Sequence, residues 1–139
     1  MPARDKTVLV VDDDEALRTL AAKLVEKRGY KVLTASDGNG ALAVLAGSVP
    51  VDLLVLDVVM PGLNGLQTLE EVRKQRGYAD LPVILLTAQS KDEDVMGGYK
   101  RGADYYITKP LQPTALLNIV DYLIGDLSPE ERTKLESSL

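Results

Sequence analysis

The 139-residue chain contains no cysteine and no histidine. Without cysteine there is no disulfide, no thiolate nucleophile and no zinc–thiolate site. Without histidine there is no imidazole base, no histidine-ligated metal and no phosphohistidine of the chain's own. The chemistry left to it rests on carboxylates, hydroxyls, lysine, tyrosine and a hard metal held by oxygen. Tryptophan is also absent, so indole fluorescence cannot report ligand binding. No apolar run approaches the roughly 20 residues that cross a bilayer. Met1 to Thr7 is polar and carries no signal-peptide core. The expectation is a cytoplasmic protein without membrane contact. A net charge of −5 argues against a nucleic-acid surface.

What is present is a mixture of 45% hydrophobic and 27% charged residues, which suits one folded domain with one core rather than a disordered chain. The most informative stretch is Leu53-Leu54-Val55-Leu56-Asp57, followed by Pro61, Gly62 and Gly65. A continuous aliphatic run bounded by turn residues reads as a strand buried on both faces. It delivers a carboxylate to the carboxyl end of that strand. A bare carboxylate there is costly unless a cation or hydrogen-bond donors compensate it.

The rest of the chain alternates. Thr7–Val11 reads as a strand running into Asp12-Asp13-Asp14-Glu15. Leu17, Leu20, Ala21, Leu24 and Val25 form a helical stripe stopped by Gly29. Tyr30–Ala35 is a second strand, Asp37-Gly38 a turn, and Ala41–Ala46 a short helix. Asn64 is placed to cap a helix that Gly77 ends, and Leu81–Thr87 is the fourth strand. A weaker helix is expected over 90–101, where Gly97-Gly98 lowers propensity by about 1 kcal/mol per glycine. Ala103–Thr108 is the fifth strand, and Pro113 opens a helix with Leu116, Leu117, Val120, Leu123 and Ile124 as its stripe. Beyond Gly125, Ser128-Pro129-Glu130-Glu131 is a capping box that opens a short polar segment. Five strands alternating with five helices predict an α/β fold: a parallel sheet with helices on both faces. The expected division is a domain over 6–125 and a tail over 126–139.

In such a sheet Asp12-Asp13, Asp57, Thr87 and Lys109 all follow their strands in the same direction, toward the ligand-binding crevice. Three carboxylates in one crevice call for a cation. Without His or Cys ligands, Mg²⁺ with oxygen ligands is the natural choice. Lys109 adds a point charge suited to phosphate and Thr87 a hydroxyl donor. Together they make a phosphoryl-transfer site with Asp57 as nucleophile. Each residue has a plainer reading alone. A lone Asp after a strand is usually a cap, the acidic run suits a helix N-terminus, and a lysine before proline is usually solvated. Coincidence at four matching strand ends is much less plausible.

These stretches resemble the receiver domain of bacterial two-component response regulators, the CheY-like family. The resemblance rests on Val8–Asp13, Leu56–Gly62 with Gly65, Leu86-Thr87-Ala88, and Gly102-Ala103-Asp104 through Tyr106-Ile107-Thr108-Lys109-Pro110. It spans about residues 6 to 124, with the motifs in the family's order and spacing. The resemblance implies the flavodoxin-like, doubly wound sheet with strand order 2-1-3-4-5. It implies that Asp57 accepts a phosphoryl group from a phosphohistidine on a sensor histidine kinase or a histidine phosphotransfer protein. It further implies that Asp13 and Asp57 ligate Mg²⁺ by side chain, Val59 by its backbone carbonyl and Asp12 through water, with Mn²⁺ as a substitute. Thr87 and Tyr106 become the switch pair and Lys109 the phosphate contact, with a cis Lys109–Pro110 bond. The expected protein is not an enzyme, apart from its own phosphotransfer and dephosphorylation. It acts on a downstream target as a monomer or a phosphorylation-dependent dimer, through the surface of the fourth and fifth family helices and the fifth strand.

The chain departs from the family at Tyr105, where many relatives carry Asp, and at Leu111, where many carry Phe. Val59 and Gln89 occupy positions that tune phosphate lifetime in the family. One rival is a phosphatase of the haloacid-dehalogenase type, which needs a second Asp two residues after the nucleophile; Val59 stands there. The other is an interaction module that is never phosphorylated, against which the intact set of site residues argues.

Overall fold

The computed structural model describes residues 6–58, 60, 62, 64–87 and 102–137. The five apolar runs become five parallel strands: β1 (Thr7–Val11), β2 (Lys31–Ala35), β3 (Leu53–Asp57), β4 (Val83–Thr87) and β5 (Tyr105–Thr108). Their order is β2-β1-β3-β4-β5, as the family resemblance implies. Five helices lie among the described residues: α1 (Glu15–Lys27), α2 (Gly38–Leu45), α3 (Gly65–Lys74), α4 (Pro113–Ile124) and α5 (Pro129–Glu136). The helix expected over 90–101 lies outside the described residues.

Alternation along each strand divides the core between the two faces of the sheet. Leu9, Val11, Leu54, Leu56, Val83 and Leu85 pack against Ala41 and Leu45 of α2 and Leu69 and Val72 of α3. Val8, Val10, Leu53, Val55, Ile84 and Leu86 pack against Ala21 and Val25 of α1 and Leu116, Ile119 and Val120 of α4. The central strands are therefore apolar on both faces, with polar residues only at their ends (Thr7, Asp57 and Thr87). Each such side chain contributes about 1.5–3 kcal/mol by leaving water.

Helix starts follow capping chemistry. Asn64 and Gln67 form a reciprocal capping box at α3, and Ser128 and Glu131 form another at α5. Pro113 sits in the first turn of α4. At α2 the structure departs from the expected turn at Asp37-Gly38 and helix from Ala41. The Asp37 carboxylate accepts the Gly40 N–H at 2.7 Å, so the helix begins at Gly38. Strands β2, β4 and β5 are shorter than expected at their amino ends, and α3 ends at Lys74 before Gly77.

Two polar clusters fasten the amino-terminal edge of the sheet. Asp121 of α4 is buried. Its carboxylate accepts the Tyr30 hydroxyl at 2.6 Å and a hydrogen bond from the Arg28 guanidinium. This ties the α1–β2 corner to α4 across more than 90 residues of chain. Arg73 of α3 donates to the carbonyls of Tyr78, Leu81 and Gly102. Gly102 has φ +95°, and a Cβ there would meet Arg73 Nε at 3.0 Å. Glycine is thus required both by the backbone and by the guanidinium.

Burial, followed by the bond to Asp121, raises the Tyr30 hydroxyl well above its ordinary value of 10.0. The folded state therefore holds this proton more tightly than the unfolded chain does. That contribution is complete below about pH 10 and is lost as pH rises toward the folded-state value. The expected result is alkaline unfolding that begins near pH 10 and is shallower in Tyr30→Phe. Tyrosinate absorbance followed together with far-UV circular dichroism checks it: ionisation of Tyr30 before loss of structure would refute it.

Candidate phosphoryl-transfer site

The register sets the site. Val11 pairs with Leu56, and Asp57 pairs with Leu86. Asp12 and Asp57 therefore leave adjacent strands side by side, with Thr87 on the next. Asp12 is fully buried and Asp57 is 2% exposed, while Asp13 is exposed. One carboxylate oxygen from each of the three lies within 4.8 Å of the others.

Lys109 follows β5. Its backbone N–H donates to the Thr87 carbonyl at 2.6 Å, which extends the ladder by one step and fixes the stem. The Lys109–Pro110 peptide is cis. Nζ lies 3.2 Å from Asp57 Oδ1 and 3.3 Å from Asp12 Oδ2. Burial alone would lower the Lys109 pKa; attraction to Asp57 and then Asp12 outweighs it and leaves the pKa above its ordinary value. The ammonium is therefore charged throughout the neutral range.

The acidic run after β1 divides its labour. Asp12 Oδ1 accepts the Asp14 N–H at 2.9 Å. Asp14 is the N-cap of α1, and its Oδ1 accepts from Ala16 and Leu17. The helix-terminus reading of this run thus holds for Asp14 and not for Asp12. Asp12 Oδ2 is buried with no hydrogen-bond donor aligned on it among the described residues, and the Lys109 ammonium lies 3.3 Å away. Three carboxylates against one ammonium leave an excess of two negative charges. An all-oxygen donor set with that excess fits a hard divalent cation.

Arg18, which the sequence reading missed, and Gly65, which it named without a structural reason, complete the frame. Arg18 of α1 donates from Nη1 to the Asp12 carbonyl at 2.8 Å, reaching back over the first turn of its own helix. Its position on α1, six residues after Asp12, was the available signal. Gly65 opens α3 with its N–H on the Val58 carbonyl at 2.8 Å. A Cβ there would lie 2.2 Å from the Asp57 carbonyl oxygen. Only glycine lets α3 abut the exit of β3 this closely.

Thr87 is buried at the end of β4. Tyr106 is half-buried on β5 opposite Leu85 and packs with the same face of the core. By alternation Leu85 and Thr87 share that face, so Thr87 and Tyr106 are neighbours across one strand pair. Val59 and Gln89 lie outside the described residues. An apolar groove lined by Leu17, Leu20, Pro110 and Leu111 opens beside Asp14 and Lys109, and Leu20 is 45% exposed there. Among the described residues, no helix is long and apolar enough to cross a membrane.

The sequence profile of the response regulator receiver domain matches residues 8–121. Over 109 residues, 78% of the chain, it is 42% identical to the alkaline phosphatase synthesis transcriptional regulatory protein PhoP of Bacillus subtilis, covering 44% of that protein. Over 110 residues, 79% of the chain, it is 44% identical to the transcriptional regulatory protein CpxR of Klebsiella pneumoniae, covering 45% of that protein. The chain thus spans about half the length of these curated relatives. The solved structure of the Vibrio cholerae chemotaxis protein CheY4 superposes with a TM-score of 0.81 at 32% identity, covering 85% of this chain and 98% of that one. Strand order, the acids at the carboxyl edge and these similarities agree: the chain belongs to the family of response regulator receiver domains of two-component systems.

Proposed function

We propose that the chain is a phosphoacceptor switch in which Asp57 is the phosphorylated residue. The observation that carries this reading is the Asp57 carboxylate, buried among Asp12 and Asp13 with the Lys109 ammonium at 3.2 Å. These 139 residues contain no histidine, so the donor phosphohistidine lies outside them, on a sensor histidine kinase or a histidine phosphotransfer protein. An Asp57 oxygen attacks phosphorus, the O–P bond forms, the N–P bond breaks, and the imidazole leaves with its electron pair. Lys109 stabilises charge on the phosphoryl oxygens. Asp13 and Asp57, with the Val59 carbonyl, would hold Mg²⁺ or Mn²⁺, and Asp12 would do so through water. The metal would neutralise charge at the phosphoryl group.

The phosphoryl group draws the Thr87 hydroxyl toward it, and Tyr106 follows on the neighbouring strand. This is a two-state element biased by a local charge event. The switched surface acts on a downstream target, with the receiver over 6–125 and the segment 126–139 appended to it. Intact mass after incubation with a small phosphodonor and Mg²⁺ tests the reading. One phosphoryl group is gained by the wild type and none by Asp57→Ala. A wild-type chain that gains nothing, or a variant that gains the same mass, refutes it.

A further inference from the structure

Helix α5 has no buried residue. At eight residues it is well below the roughly 12–15 at which an isolated helix is even marginally stable in water. Its Ser128–Glu131 capping box satisfies its first turn, and its one leucine, Leu135, is only half-buried. Tyr122 of α4 is its polar anchor. Arg132 lies over the Tyr122 ring with Cζ 4.3 Å from the centroid, and its Nη1 donates to the Tyr122 carbonyl at 2.9 Å. One turn later, Glu136 accepts the Tyr122 hydroxyl at 2.9 Å. The Tyr122 ring in turn stands edge-on to Tyr105 of β5, with centroids 6.3 Å apart and planes at 85°. β5 is an edge strand, so this aromatic pair marks the open side of the sheet.

We infer that the Tyr105–Tyr122 face is a helix-binding surface whose occupant is the chain's own α5, closed over it as a reversible latch. The surface selects an arginine and a glutamate four residues apart on one helical face, the first for ring and carbonyl, the second for the hydroxyl. Each contact is solvent-exposed and individually weak, since an exposed cation–π pair or a single hydrogen bond shifts an equilibrium by only several-fold. The latch therefore opens without unfolding the domain, and any other partner reaches this face only when α5 lifts. The inference is independent of the phosphoryl chemistry at Asp57.

The bond to Glu136 raises the Tyr122 hydroxyl pKa above its ordinary value, which provides a readout of latch closure. The double variant Arg132→Ala with Glu136→Ala keeps the capping box and uses the best helix former, so it removes docking without weakening α5 itself. Amide exchange in the 139-residue double variant should be about tenfold faster than wild type across α5 and unchanged across α4. The Tyr122 hydroxyl should titrate at a lower pH. A variant truncated after residue 127 should give the same Tyr122 hydroxyl titration and ring resonances as the double variant. Equal α5 exchange in wild type and double variant, or a Tyr122 hydroxyl that titrates alike in wild type and truncated variant, would overturn the inference.

Discussion

Lys109→Met should slow phosphorylation of Asp57 by about 10²–10³-fold at saturating Mg²⁺, the usual cost of removing one preorganised charge donor. Methionine keeps the length of the stem and removes only the charge. The variant should also be less stable without divalent metal. The wild-type Lys109 ammonium lies 3.2 Å from Asp57 and 3.3 Å from Asp12, and both carboxylates are buried. Removing the shared partner of buried charges costs about 3 kcal/mol or more. A divalent cation then has more uncompensated charge to bind, so Mg²⁺ should stabilise the variant more than the wild type. Urea denaturation with and without Mg²⁺, paired with phosphodonor kinetics, separates the two effects. A variant that phosphorylates at the wild-type rate would show that Lys109 is a structural counter-ion and nothing more.

Gly65→Ala should be nearly as damaging, although alanine is ordinarily the better helix residue. The new methyl would lie 2.2 Å from the Asp57 carbonyl oxygen and 2.6 Å from Val58 Cα. Both are backbone atoms, so no rotamer can relieve the contact. Either α3 moves away from the sheet or the end of β3 moves toward the site. The expected loss is about 3 kcal/mol, the upper range for an overpacked interior. A displacement of Asp57 of the order of 1 Å would cost about a hundredfold in rate. The Gly65→Ala urea midpoint and its initial phosphorylation rate measure these separately. Wild-type values for both would mean that α3 and β3 are not in the close contact described.

The sheet and its charged edge were legible in the sequence because both follow from local pattern. Aliphatic runs of four or five residues in a parallel sheet have one plausible environment, and the residue after each run is placed by the run itself. That is why Asp12, Asp57, Thr87 and Lys109 were readable. The same logic failed where a side chain decides the outcome. Asp37 before Gly38 has the pattern of a turn, and its carboxylate caps a helix instead. The Arg28–Tyr30–Asp121 cluster was not readable, because its partners are separated by 91 and 93 positions. The one hint was an aspartate between Val120 and Leu123, beside the apolar stripe of the helix. Gly65 stood in the motif, but its reason, the approach of α3 to Asp57, exists only in three dimensions.

The Arg28–Tyr30–Asp121 cluster and the Arg73 clasp both sit at the edge where the strands begin, whereas the excess acids sit where the strands end. The clusters that tie helices to the sheet and the crevice of excess acids thus lie at opposite poles of one molecule. Lys109 and Gly65 are the exceptions, since each carries stability at the acidic pole. A substitution among Arg28, Tyr30, Asp121 and Arg73 can therefore change how firmly the strand-start edge is held without touching the charge of the crevice.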